Sequence, residues 1–227
     1  MDPLPPEGSA TVEIAGETLW LLPERAAYWP ARRTLLVADL HLGKPAAFRA
    51  AALPVPEATM DADLERLSAT IEQTKAERLV ILGDLVHARS GQTPRTVETV
   101  AAWRRRHRDL AMVLVLGNHD QRCGPTPLEW RMEIIDELRV EPPFVWRHRP
   151  DEHEAGYVVA GHVHPVAQLT GPGRQKLRLR CFAVGERRAI LPAFGGFTGG
   201  AVGAPTPTDR VFVVADDQIV EMSRARG

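Results

Sequence analysis

Ala111-Met112-Val113-Leu114-Val115-Leu116-Gly117-Asn118-His119-Asp120 is the stretch from which the rest of the chain is read. Its six apolar residues, too few for a stable helix and closed by glycine, predict a buried strand. An amide, an imidazole and a carboxylate follow directly on the end of that strand. In open α/β sheets, the carboxyl edge of the strands is where ligands bind. A plain turn would also place Gly-Asn and His-Asp pairs here. What separates the two readings is whether other polar clusters sit on other strand ends.

They do. Thr34–Ala38 is a second apolar run, followed by Asp39-Leu40-His41-Leu42-Gly43-Lys44. Leu79–Leu82 leads into Gly83-Asp84-Leu85-Val86-His87, and Phe144–Trp146 into Arg147-His148-Arg149-Pro150. Tyr157–Ala160 leads into Gly161-His162-Val163-His164-Pro165. Five runs therefore deliver Asp39, His41, Asp84, Asn118, His148, His162 and His164 to one sheet edge, with His119 in addition. Two carboxylates, one amide oxygen and four imidazoles exceed what one tetrahedral metal takes. They suit two adjacent divalent metals sharing a carboxylate, with Mn²⁺ expected and Fe or Zn²⁺ also accommodated. No thiolate joins the set, which argues against structural zinc. At a strand end, residues two apart point to the same side, the expected reason for the Asp-x-His and His-x-His spacings.

The composition bounds this reading. At 227 residues, 44% apolar and 25% charged, the chain is expected to form one domain over 1–227, with the Pro-rich residues 1–10 loosely attached. A net charge of −1 excludes a uniformly basic nucleic-acid-binding protein but leaves room for a local basic groove. Cys123 and Cys181 fit no zinc or redox spacing and are expected to be free thiols. No basic, apolar leader opens the sequence and no apolar run approaches the ~20 residues of a bilayer span, so a soluble cytoplasmic protein is expected.

Around the polar clusters, periodicity and turn residues predict the remaining elements. A hairpin runs over 11–22 around Gly16, then a loop over 23–32 holds Tyr28-Trp29-Pro30. Residues 45–58, with Pro45, Pro54 and Pro56, form a loop or short helix over the site. Thr59 caps a helix carrying Leu64, Leu67 and Ile71. Thr93 caps a second, with Pro94 at its first position, running to about Arg108 with His107 at a solvated end. A helix is expected over 128–138, an alternating strand over 174–184, a strand over 188–194, a Gly-rich loop over 195–200 and a hairpin over 210–222. Arg174, Lys176, Arg178 and Arg180 share one face of their strand, either as a solvated face or as a strip for a nucleic-acid backbone. Lys44 and Arg49 flank the metal-ligand candidates and are expected to meet substrate phosphates.

The ordered set Asp39-x-His41, Gly83-Asp84, Gly117-Asn118-His119-Asp120, His148 and Gly161-His162-x-His164 resembles the calcineurin-type metallophosphoesterases. The resemblance implies a four-layer α/β/β/α sandwich of two mixed sheets flanked by helices. It implies one metal on Asp39, His41 and His164, a second on Asn118, His148 and His162, and Asp84 as the bridge. His119 would face the phosphate as general acid or transition-state stabiliser, and Asp120 would orient its ring. A hydroxide bridging the metals would attack phosphorus in line with the leaving oxygen.

Those segments, with Leu191-Pro192-Ala193-Phe194-Gly195-Gly196-Phe197-Thr198-Gly199-Gly200, resemble more narrowly the bacterial DNA-ligase-associated metallophosphoesterases. These are assigned as DNA-repair endonucleases working near an ATP-dependent ligase, a helicase and an exonuclease. Single-stranded or damaged DNA is then the expected substrate, and those three enzymes the expected partners. One position departs from the pattern. An acidic residue is expected between His148 and Pro150, where Arg149 stands, which leaves His153 as a rival for the fourth motif. Two other functions share the motifs: a phosphoesterase of nucleotides or cyclic nucleotides, and a non-catalytic scaffold. Scaffolds usually lose ligands or the catalytic histidine, and both are present here.

Overall fold

In the first sheet, strands switch from antiparallel to parallel as helices enter the chain. β1 (Ala10–Ile14), β2 (Glu17–Leu22), β3 (Ala26–Trp29) and β4 (Thr34–Val37) form an antiparallel meander. Then α1 (Lys44–Ala50) and α2 (Thr59–Thr74) carry the chain to β5 (Arg78–Leu82), and α3 (Pro94–Arg106) carries it to β6 (Ala111–Val115). These strands run parallel to β4 in the order β4-β5-β6. After α4 (Asp120–Cys123), β7 (Glu133–Ile135) adds in parallel at the far edge. The computed structural model describes residues 4–222 except 54, 56–58, 172, 174 and 203–204. Residues 1–3, Pro54, Pro56, Arg174 and the side chain of Thr59 fall outside the described residues.

The second sheet contains β8 (Leu138–Glu141), β9 (Phe144–Arg147), β10 (Tyr157–Ala160), β11 (Pro165–Thr170), β12 (Lys176–Val184), β13 (Arg188–Ile190) and β14 (Ala201–Val202). The hairpin of β15 (Arg210–Ala215) and β16 (Gln218–Glu221) joins it along β12. Its centre is parallel: β9, β10 and β13 point the same way.

Period-two alternation sorts the side chains into layers. On β4, β5 and β6, Leu35, Val37, Leu79, Ile81, Met112 and Leu114 face α2 and α3. Their neighbours Leu36, Val80, Leu82, Val113 and Val115 face the other sheet, where Phe144, Trp146, Tyr157, Val159 and Phe182 meet them. Two mixed sheets packed face to face, with helices outside, make the expected sandwich. The helical layers are slight: among the described residues, the last α-helix ends at Cys123. α3 starts as expected, with Thr93 Oγ1 accepting from Thr96 N at 3.1 Å and Pro94 at its first position. Both cysteines are free and buried, and burial pushes the Cys181 thiol up to about 12.

Several elements differ from expectation. Residues 23–32 include a strand, β3, because Tyr28 and Trp29 are buried on opposite faces of the sheet. Residues 128–138 form no helix. A 3-10 turn over Leu128–Trp130 ends at Arg131 in the left-handed region, and the chain then pairs with β6 as β7. Trp130 is fully buried with Nε1 donating to the Val97 carbonyl, whereas Leu128 points to solvent, so the apolar spacing misled. β13 stops at Ile190, two residues before Pro192, which cannot donate to a ladder. His107 is no solvated helix end: it packs on Trp103 and its Nε2 lies 2.8 Å from Ser68 Oγ of α2.

Candidate metal centre

Parallel pairing puts the carboxyl ends of β4, β5 and β6 on one edge, and those of β9 and β10 on the facing edge. The loops leaving these strands are stitched together by their backbones. Asp39 N donates to Gly83 O, His41 N to Asp84 O, and Gly161 N to His148 O. Phe194 N and Gly195 N donate to Ala38 O and Asp39 O, tying the Gly-rich segment beneath the first motif. The two-residue spacings work differently from expectation. β4 ends at Val37 and β10 at Ala160, so Asp39, His41, His162 and His164 lie beyond regular strand. Asp39, His41, Asp84, His162 and His164 all have φ between 50 and 69°. That left-handed backbone costs a non-glycine residue roughly 1–2 kcal/mol and re-aims each side chain inward.

Two Asp/His clusters of ligand atoms result, and an all-histidine group of His41, His87 and His119 adjoins them. In one, Asp39 Oδ1 lies 3.3 Å from His164 Nε2, and His164 Nε2 lies 3.5 Å from His41 Nε2. In the other, His148 Nε2 lies 3.0 Å from His162 Nδ1, 3.2 Å from Asn118 Oδ1 and 3.5 Å from Asp84 Oδ2. Asp84 Oδ2 is also 3.9 Å from His41 Nε2, so this oxygen sits between the clusters. The remaining carboxylate oxygens are satisfied by amides: His162 N donates to Asp39 Oδ2, and His119 N to Asp84 Oδ1.

The donor chemistry fits divalent cations. Asp39 Oδ1 is buried and accepts no hydrogen bond, an orphaned carboxylate oxygen facing ring nitrogens. His148 Nδ1 donates to the Leu82 carbonyl at 2.9 Å, which turns its Nε2 toward Asn118, His162 and Asp84. Burial lowers the His41 pKa to about 2, helped by the charges of His164, Lys44, His119 and His87, which keeps this imidazole neutral. Neutral rings and ionised carboxylates are the forms that bind metal. His148 takes the fourth-motif position. His153 lies apart, in a bridge with Gly156, its Nδ1 accepting from Ala155 N.

His119 stands beside the clusters, part-exposed, with Nε2 3.9 Å from Asp84 Oδ2. Its Nδ1 donates at 2.5 Å to the carbonyl of His87, whose ring stacks on it at 5.0 Å. Asp120 therefore does not aim the His119 ring. Its carboxylate is engaged by two backbone amides, Val86 N at 3.0 Å and Gly117 N at 2.9 Å, and so joins the second and third loops. A sequence motif names the acidic residue; it does not say whether a ring or an amide receives it.

Of the two cations proposed for substrate, Lys44 lies near the centre, close enough to lower the pKa of both His41 and His87. Arg49 points elsewhere, donating to the Val55 carbonyl and lining a hollow with Gly43, Met60, Thr93 and Arg95. Arg180 leaves the basic strip: it is half-buried and donates to the carbonyls of Ala193, Gly195, Gly196 and Thr198. Lys176 and Arg178 remain exposed. Arg149, noted only as a departure, is exposed, makes no ion pair among the described residues, and lines a groove with Asn118, Gln121 and His148.

Residues 32–150 match the calcineurin-like phosphoesterase family. The chain belongs to that family. Among solved structures, this phosphoesterase is similar to the Pseudomonas putida nuclease MPE, with 41% identity and a TM-score of 0.82, over 94% of this chain and all of the other. A phosphoesterase from E. coli, Yfce, matches at 15% identity and a TM-score of 0.41, over 85% of this chain and 99% of that one. The comparison with curated proteins found no match. The protein is thus a phosphoester hydrolase whose fold implies divalent metals, and the two Asp/His clusters are the residues able to hold them.

Proposed function

We propose that this phosphoesterase is a DNA endonuclease, acting on single-stranded or damaged DNA with Mn²⁺ as its preferred ion. The observation that carries the reading is the likeness to the P. putida nuclease over 94% of the chain, together with an uninterrupted donor set. Asp39, His41 and His164 would hold one ion, and Asn118, His148 and His162 the other, with Asp84 Oδ2 between them. When bound, the ions supply Lewis acidity to the phosphate oxygens and an acidified water as nucleophile. The chain does the rest. The His87 carbonyl fixes the His119 proton on Nδ1, so proton exchange takes place at Nε2, where His119 assists the leaving oxygen. Lys44 adds positive charge beside the phosphate.

The resemblance of the Leu191–Gly200 segment supports a cytoplasmic repair role beside an ATP-dependent ligase, a helicase and an exonuclease; co-purification of the four from cells tests it. No helix among the described residues is long and apolar enough to cross a membrane. The nuclease reading is tested on circular single-stranded DNA with and without Mn²⁺, because a circle offers no end to an exonuclease. Metal-dependent linearisation by the wild type, lost in His119→Ala with metal content retained, is expected. Intact circles alongside rapid turnover of mononucleotides or cyclic nucleotides would refute it in favour of a small-molecule enzyme.

A further inference from the structure

We propose that Phe48 and Phe197 form a stacking platform for a nucleobase of single-stranded DNA beside the metal centre, an assignment that rests on the nuclease reading. Phe48 lies on α1, and Phe197 lies in the Gly-rich loop. Neither belongs to a buried cluster of the core, and both rings are partly exposed. Their centroids are 5.6 Å apart with the planes at 75°, edge to face, so one ring can offer a base its face while the other borders it. Phe48 meets the His87 ring edge-on at 5.8 Å, and His87 itself stacks on His119. A continuous run of rings thus leads from the group placed at the leaving oxygen out to the surface.

Two features make this a binding surface rather than loose packing. First, the loop that presents Phe197 is pinned. Both oxygens of Asp63 accept from Gly196 N at 2.9 Å, while Arg180 grips the carbonyls on either side. The same segment buries Phe194 completely, with the Arg66 guanidinium 4.3 Å from its ring, yet leaves Phe197 partly in solvent. Second, charge accompanies the rings. Lys44 Nζ lies 5.8 Å from the Phe48 centroid, placing a cation where the phosphate of a stacked nucleotide would run. Rigid aromatic rings next to a backbone-tracking cation are how single strands are held without regard to sequence. Bases of a duplex have their faces covered by one another, so the platform selects single strands.

The test compares a single-stranded oligonucleotide with one of equal length whose bases are replaced by abasic residues. For the wild type, KM on the abasic strand is expected to be about fivefold higher or more, the low end of base–aromatic stacking. Phe48→Ala, Phe197→Ala and the better-filled Phe197→Leu should bring that ratio close to one, and Phe197→Trp should restore it. Metal content, measured on each variant, reports an intact centre. A ratio unchanged in the variants, or a wild type that cuts both strands equally, overturns the platform while leaving the nuclease intact. A wild type that cuts neither strand overturns the nuclease reading and the platform with it.

Discussion

Gly117→Ala should disable the enzyme through contact with one carboxylate. The residue lies two positions beyond β6, and a Cβ built on it would lie 2.2 Å from Asp84 Oδ1 and 2.4 Å from Asp84 N. Its φ is not in the left-handed region, so alanine brings no backbone strain; the collision is steric. Ordinary contact begins at 3.4 Å, so the two loops must part by about 1 Å. The moving group is the carboxylate whose other oxygen faces His148 at 3.5 Å and His41 and His119 at 3.9 Å. Misplacement of reacting groups by about 1 Å costs on the order of 100-fold in rate. The assay is kcat/KM on bis(4-nitrophenyl) phosphate, with metal content measured on the same folded sample. Gly171→Ala is the control, since nothing lies within 4 Å of its Cβ. If Gly117→Ala keeps full metal and a rate within about threefold of wild type, Asp84 is not held by close approach of the third loop.

Asp120→Ala leaves Val86 N and Gly117 N without their charged acceptor; at about 1.5–3 kcal/mol per such bond, urea unfolding should register a loss of about 3 kcal/mol or more. Unchanged stability with lost turnover would restore a ring-orienting role to Asp120. Arg149→Glu should raise KM for DNA and reduce the salt slope by about one, as for a single phosphate contact; an unaltered slope removes Arg149 from the DNA path. The metal-free protein should lose stability as pH falls below 6.5. His41 stays neutral in the folded state down to about 2 while the unfolded chain takes up the proton, so its share between pH 7 and pH 5 is about 2 kcal/mol. A flat profile in chelator refutes the burial assigned to His41. Adding Mn²⁺ at about 100 times its dissociation constant should return about 2.7 kcal/mol of stability at pH 7, and a midpoint indifferent to metal would argue against a binding site formed by the native fold.

The parts of the fold legible in the sequence were those in which one physical rule acted alone. β4, β5, β6, β9 and β10 are short apolar runs ended by glycine or polar ligands, and all five are strands. β3 and β7 were missed because tertiary packing decides them: Tyr28 and Trp29 find a core on each face, and the 133–135 segment finds the open edge of β6. For the site, the donor side chains that gather and their order along the chain were readable, as was the neighbourhood of Lys44. What could not be read were bonds to main-chain carbonyls and amides. The sequence names neither the carbonyls that take Arg180 and His119 nor the amides that take Asp120, because a backbone acceptor has no letter of its own.

The left-handed residues explain why such a site needs so much backbone around it. Asp39, His41, Asp84, His162 and His164 each adopt a conformation that glycine adopts freely and they do not. None of them could be glycine and still offer the donor atom it brings to the clusters. The chain places glycine next to them instead: Gly83 against His148, Gly117 against Asp84, and Gly161 against Asp39, where any Cβ would collide. Close approach then lets Asp39 N, His41 N and His162 N find acceptors on neighbouring loops, and those bonds hold the strained residues in place. Strain at the ligands and smallness beside them are two halves of one solution. The short glycine-containing motifs are therefore as much about packing one loop on another as about the donors they carry.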